Sequence, residues 1–199
     1  MKNLREVDGV CVLVVDPTGR LMAPPILNED AAKTEVVLEQ DDLGRFREIS
    51  RASLRSVSLG VFGGKMEQGE TFPAALLREV GEEFDDLFSN RFQISELRKK
   101  EVLNNFMAAL EEMLADLQDF LSFSALRVIQ FIGDGFSGNL EEAQFSISIN
   151  VAILRVEEVL RQQLLEAGFQ YYQEISDLRP YVRAVWTLLE KDIQREMGI

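Results

Sequence analysis

The chain has 199 residues, 46% of them hydrophobic, with 21 Lys+Arg against 34 Asp+Glu for a formal net charge of −13, one cysteine and no histidine. That length and apolar content suit one domain with a real core and argue against disorder as the dominant state. Without histidine there is no Ser-His-Asp or Cys-His catalytic arrangement and no imidazole metal ligand, and the negative charge repels nucleic acid polymers while leaving small phosphate ligands open if a cation intervenes.

Taken in chain order, the opening stretch Met1 to Gly9 lacks the apolar run of a signal peptide, and no later run is long enough to cross a membrane. A soluble, cytoplasmic protein with no membrane partner is the expectation. Asp8 to Val15 is an apolar, β-branched run ended by Asp16-Pro17-Thr18-Gly19 and resumed by Arg20 to Ala23, which predicts a β-hairpin closed by a type I turn. Cys11 sits among Val10, Val12 and Leu13 and reads as a buried core thiol. Its solitude excludes an internal disulfide and favours a reducing compartment. Residues 27 to 52 are polar and charged around a short Val36-Val37-Leu38 run, which predicts an irregular loop or an edge strand. Ser56 to Phe62 alternates apolar and small residues as a strand and runs into Gly63-Gly64.

The period then becomes helical from Thr71 to about Leu87, with Leu77, Val80, Phe84 and Leu87 on one side. A long helix is expected over about 95–121, where Leu103, Phe106, Leu110, Met113, Leu117 and Phe120 follow 3-4 spacing, a seam too short for an extended coiled coil. It packs on its own domain or on a second copy, so a homodimer is one expectation. Strands follow at 127–132 and 145–154, the second alternating Phe145, Ile147, Ile149, Val151 and Ile153 with Ser, Ser, Asn and Ala. Between them the loop Asp134 to Asn139 reads as a hairpin connection. A helix over about 156–167, a last strand within Phe169 to Gln173 and a C-terminal helix over about 179–197, with Asp177 as its N-cap and Pro180 in its first turn, complete the chain. Tyr171, Tyr172 and Trp186 could stack on a base, but their spacing suits core positions better. The elements predict an α+β (mixed α/β) fold in one domain spanning 1–199.

Chemistry concentrates between Gly64 and Asp86. On a helix turning about 100° per residue, Glu79, Glu82 and Glu83 share one face opposite the apolar side. Like charges at this spacing repel, and a divalent hard cation removes the penalty because magnesium and manganese prefer clustered oxygen ligands. A Glu-rich helix face is usually only a solvated surface, but here a strand ends in a Gly-Gly turn that lets the backbone, including the Gly63 carbonyl, approach a ligand. Glu70 stands near the helix start, and Arg78 flanks the carboxylates where it can hold one by a charge-assisted bond.

This segment resembles the signature of the Nudix hydrolases: Gly, five residues, Glu, seven residues, then Arg-Glu-apolar-x-Glu-Glu-x-Gly-apolar. Gly64, Glu70, Arg78, Glu79, Val80, Glu82 and Glu83 all stand at that spacing, a match expected by chance on the order of once in several hundred thousand chains of this length. The final glycine is replaced by Asp85, followed by Asp86, which suggests that the helix runs longer or closes differently. The resemblance implies an α/β/α sandwich with a mixed sheet, in which the helix at about 95–122 is an insertion. It implies hydrolysis of a diphosphate (pyrophosphate) linkage in a nucleoside-diphosphate derivative with Mg2+ or Mn2+ as cofactor. Glu79, Glu82, Glu83 and the Gly63 carbonyl correspond to metal ligands, Glu79 or Glu82 to the general base, and Glu70 and Arg78 to supports of the helix. Family sites often recruit one more acidic residue, for which Glu141, Glu142 and Glu166 are candidates because each precedes a predicted strand. The alternative is a non-catalytic module of the same fold that senses a nucleotide or binds a protein. No residues mark a substrate subfamily.

Overall fold

The computed structural model describes residues 5–27, 34–40, 46–53, 55–91, 95–120, 126–132 and 145–199. The fold is a mixed α+β arrangement built around one long strand. This is β1 (Arg5–Val15), which runs parallel to β9 (Phe145–Arg155) over its whole length, from Arg5↔Phe145 to Val15↔Arg155. Its other edge is shared: Val14 and Val15 pair antiparallel with β2 (Leu21–Ala23), and Gly9 to Val12 pair antiparallel with β7 (Phe62–Lys65). Beyond β9 the sheet continues through β8 (Leu126–Ile132), β4 (Thr34–Gln40) and β5 (Phe46–Ser53), and beyond β2 it ends at β10 (Gln170–Tyr171). A separate two-stranded ribbon pairs β3 (Pro25–Leu27) with β6 (Val57–Leu59).

Side chains on a strand alternate between faces, so a sheet whose residues are apolar at both parities must be covered on both sides. Val10, Val12 and Val14 of β1, with Ala152 and Leu154 of β9, bury against α1 (Phe72–Arg91), α2 (Glu96–Phe120) and α3 (Glu158–Glu166). Cys11, Leu13 and Val15, with Ile149, Val151 and Ile153, bury against α4 (Pro180–Glu196). The result is helix, sheet, helix in three layers, with β1 in the middle. Phe62, Phe84, Phe106 and Phe169 bring β7, α1, α2 and the end of α3 to one point, with Phe62 at 5.6 to 5.8 Å from each of the other three ring centroids. No helix among the described residues is long and apolar enough to cross a membrane.

Some expectations are met in part and others are corrected. Part of the 27–52 stretch forms the β4–β5 hairpin, with Thr34↔Ser53 at one end and Gln40↔Phe46 at the other, and β5 is the sheet edge. The single strand expected over Ser56 to Phe62 is two short ones, because Gly60 packs against Ile26 and the chain then crosses from the ribbon to β1. On α2 the buried stripe is Val102, Phe106, Leu110 and Leu114, with Leu103 and Met113 only half-buried. A four-residue step follows from packing across a broad face of the chain's own core rather than along a narrow helix pair. The stripe that motivated a homodimer is thus spent within the chain as far as Leu114, and the side chains of Leu117 and Phe120 lie outside the described residues. Asp177 does not cap α4, whose N-cap is Arg179 with Pro180 at its first position. Its carboxylate instead accepts from the N–H groups of Gln173 and Glu174, each at 2.9 Å, closing the short 3-10 turn Ile175–Asp177. α1 runs to Arg91, past Asp85, as the missing box glycine suggested.

Candidate active site: a carboxylate cluster at the β7–α1 junction

β7 enters the site already committed to β1 through Val12↔Phe62 and Val10↔Gly64. Gly63 lies between those pairs, and its N–H donates to Glu83 Oε2 at 2.7 Å instead of to β1. In an extended residue the N–H and C=O point to the same side, so the Gly63 carbonyl is also turned toward α1. Two residues on, the Lys65 carbonyl faces the same way and accepts from Arg78 Nη2 at 3.0 Å. The strand therefore presents alternate main-chain groups to the helix that follows it.

The two glycines are required by different neighbours. A Cβ on Gly63, whose φ is +156°, would lie 2.2 Å from the Val10 carbonyl oxygen and 2.7 Å from Cys11 Cα. A Cβ on Gly64 would lie 2.3 to 2.5 Å from the carboxyl group of Glu79. Absence of a side chain at Gly64 thus lets Glu79 lie flat against the strand.

The loop between β7 and α1 is closed on itself. Met66 N–H donates to the Asp8 carbonyl at 2.9 Å, Glu70 N–H to the Glu67 carbonyl at 3.0 Å, and Glu67 N–H to Glu70 Oε2 at 2.8 Å. α1 is held down by Ala75, Leu76, Val80 and Phe84, all fully buried, with Leu77 half-buried. That anchoring turns Arg78, Glu79, Glu82 and Glu83 toward β7 and solvent.

Arg78 organises the cluster. Its Nε and Nη2 donate to the two Glu70 oxygens at 3.0 Å each, while Nη1 donates to Glu79 Oε1 at 2.7 Å and to Glu82 Oε2 at 3.4 Å. A planar guanidinium suits this two-sided grip as an ammonium does not. The hydrogen bonds from Arg78 and then from the Glu67 N–H hold the Glu70 carboxyl below its ordinary pKa. Exposure grades along the helix: the side chains of Glu70 and Glu79 are 14% exposed, Arg78 25% and Glu82 65%. Behind the strand, burial first and the charge of Glu83 second push the Cys11 thiol up to about 12. It is protonated and inert at neutral pH, as its place in the core requires.

The structure brings Gly63, Glu70, Arg78, Glu79, Glu82 and Glu83 together as the box spacing anticipated. Glu166 is elsewhere: it ends α3 in an ion pair with Arg98 of α2 at 2.6 Å. Glu141, Glu142 and the 134–139 loop lie outside the described residues. Trp186 is fully buried and its Nε1 donates to Tyr172 Oη at 3.0 Å, while the Tyr171 ring is covered by the Arg20 guanidinium at 4.1 Å. Trp186 lies in the core, and Tyr171 and Tyr172 are half-buried against its two sides. The Lys65 carbonyl was missed from sequence, since a main-chain acceptor leaves no residue-type signal. A cavity of about 500 Å³ lined by Arg55, Ser58, Leu165, Tyr171 and Asp177 is separate and includes none of the box residues.

The donors available for a cation are hard oxygens: the Glu79, Glu82 and Glu83 carboxylates and the Gly63 carbonyl. They suit magnesium or manganese in kind. In the arrangement seen, Glu79 and Glu82 are engaged by Arg78 and Glu83 by the Gly63 N–H, and among the described residues no three acidic or cysteine side chains converge as a ready-made metal site. No protein-family model matches the chain, and no curated protein matches its sequence.

Proposed function

We propose that the protein is a Nudix-type hydrolase that cleaves the diphosphate linkage of a nucleoside-diphosphate derivative with the help of Mg2+ or Mn2+. The observation that carries this reading is the Arg78 guanidinium, which ties Glu70 at the helix start to Glu79 beneath Gly64, so that four separated positions of the box meet in one contact set. A merely solvated acidic helix face has no need of the glycine under Glu79 or of the grip on Glu70.

The residues that would hold the cation are Glu79, Glu82, Glu83 and the Gly63 carbonyl. When bound, such an ion neutralises diphosphate charge and makes a coordinated water acidic enough to attack at neutral pH. The chain's own part begins with position: Glu83, fixed to the Gly63 N–H at 2.7 Å, keeps α1 and β7 in register. Glu79 or Glu82 accepts the proton of the attacking water, a task within reach of a carboxylate that retains an unengaged oxygen. Arg78 and Glu70 keep the strand, loop and helix from separating, so that substrate charge meets a prebuilt arrangement rather than a mobile one.

The test is a panel of nucleoside-diphosphate derivatives incubated with the protein and Mg2+ or Mn2+, with release of nucleoside monophosphate or phosphate as the readout. Hydrolysis of at least one compound that stops on chelation supports the assignment. Binding of a panel compound without any cleavage favours the non-catalytic sensing module.

A further inference from the structure

We propose that Arg78 is an internal counter-cation for the carboxylate cluster, holding Glu79 and Glu82 until a divalent cation takes them over. The inference rests on the metal-dependent reading above. The two sides of the guanidinium are used differently. One side is an anchor: Nε and Nη2 bind the two Glu70 oxygens at 3.0 Å each, and Nη2 also reaches the Lys65 carbonyl at 3.0 Å. The other side is a bridge, with the single group Nη1 donating to Glu79 Oε1 at 2.7 Å and to Glu82 Oε2 at 3.4 Å. That is a cation joining two carboxylates that would otherwise repel.

Because the guanidinium is planar and rigid, its anchored side fixes where Nη1 sits. The movable partners are the carboxylates, and Glu82 is 65% exposed on the solvent side of the pair. When a hydrated divalent cation arrives, Glu79 and Glu82 turn away from Nη1 while the three anchor contacts persist, so α1 and the 66–70 loop do not loosen. A doubly charged ion outbids a shared single charge for two carboxylates at the same separation. Glu83 is held by the Gly63 N–H at 2.7 Å, on the strand side of the cluster. The device keeps the cluster folded and partly neutralised in the absence of metal, and it sets a competition that metal affinity must overcome.

Two measurements test this without relying on activity. Crystal structures of the wild-type chain without divalent metal and with Mn2+ are compared first. The expected result is that Nη1 to Glu79 Oε1 lengthens beyond about 4 Å with Mn2+ while the Glu70 fork keeps its hydrogen-bond length. Second, Mn2+ is titrated into wild type and Arg78→Lys with the free-ion EPR signal as readout. Lysine preserves the charge but cannot span Glu70, Glu79 and Glu82 together, so Mn2+ binds about twofold to fivefold more tightly to the variant. If wild type binds Mn2+ but Glu79 keeps its bond to Arg78, or if the variant binds equally or more weakly, Arg78 orients the ligand instead of occupying it and the inference fails while the hydrolase reading stands. If wild type binds no Mn2+, both fail. The wild-type structures need no variant, so an unfolded Arg78→Lys protein leaves the comparison intact.

Discussion

Adjacent glycines at the β7–α1 junction separate stability from function, and substituting each by alanine gives opposite outcomes. In Gly64→Ala the atoms nearest the new Cβ are those of the Glu79 carboxyl group, at 2.3 to 2.5 Å. The carboxyl is the end of a flexible side chain and can retreat by about 1 Å to ordinary van der Waals separation. Its hydrogen bond to Arg78, in a half-buried pair whose side chains are 14% and 25% exposed, lengthens at a cost of about 1 kcal/mol, and alanine in a strand recovers about as much from the glycine it replaces. The folded state therefore survives nearly unchanged, whereas under the proposed hydrolase reading a displacement of Glu79 by about 1 Å costs about 100-fold in kcat. In Gly63→Ala the Cβ lies 2.2 Å from the Val10 carbonyl oxygen, main chain that cannot swing aside. β1 and β7 must part, at a cost of about 3 kcal/mol or more. The assay pairs urea unfolding followed by circular dichroism with hydrolysis of whichever diphosphate compound the wild type cleaves. Gly64→Ala should match wild type in midpoint and lose activity; Gly63→Ala should lose both. Full activity in Gly64→Ala, or equal destabilisation by the two substitutions, would refute the claim that Gly64 exists to seat Glu79.

Two other predictions concern the scaffold. Asp16, 1% exposed at the β1–β2 turn, accepts from Thr18 N–H and Oγ, Arg20 N–H and Nη2, and Tyr171 Oη. Burial alone would raise its pKa, but these bonds overcome that and hold it at about 2 against an ordinary 3.8. A depressed carboxyl stabilises the fold above its unfolded pKa, so Asp16 contributes about 2 kcal/mol above pH 4, lost as pH falls toward 2. Asp16→Asn should lower neutral-pH stability by about that amount and flatten the acid limb of the stability curve; an unchanged acid limb would contradict the assignment. Phe106→Ala, which empties a site packed by Phe62 at 5.8 Å, Phe84 at 6.0 Å and Phe169 at 6.5 Å, should cost about 3 to 5 kcal/mol in chemical unfolding. A loss under about 1 kcal/mol would mean that α2 is not part of this core.

Where residue type alone decides the outcome, the sequence was legible. The apolar, β-branched run through Val10 to Val15 and the alternation of Phe145 to Ile153 announced two strands, and the structure buries both faces of β1 against helices, which the alternation of the second strand did not foretell. On α4 the apolar residues at helical spacing, Val182, Val185, Trp186, Leu189 and Ile193, are buried, while Met197 just past the helix is only half-buried. Harder to read were strands specified by distant partners. β4 finds Ile132 and Phe131 of β8 some ninety residues away, at Leu38 and Glu39, and the acidic and basic residues of β4 and β5 gave the pattern of a loop. Asp177 looked like a helix cap because the residue suits one, and only the path of the chain shows it closing the preceding turn. At the site, Gly64, Glu70, Arg78 and the three glutamates were recoverable from spacing because each acts through its side chain or lack of one. The orientation of the Gly63 and Lys65 carbonyls depends on strand pairing with β1, which no local pattern records.

The acidity with which the chain first presents itself is partly concentrated here: from Lys65 to Asn90 there are seven acidic and two basic residues, five of the net thirteen negative charges. Whether that charge holds a catalytic cation is tested most directly by hydrolysis of the diphosphate panel with Mg2+ by wild type and by the double variant Glu82→Gln, Glu83→Gln. Glutamine at 83 can still accept from the Gly63 N–H, so the fold is preserved while two negative charges are removed. The account predicts cleavage of at least one nucleoside-diphosphate compound by wild type and a loss of about 100-fold or more in the variant; equal cleavage by both proteins would place the chemistry elsewhere.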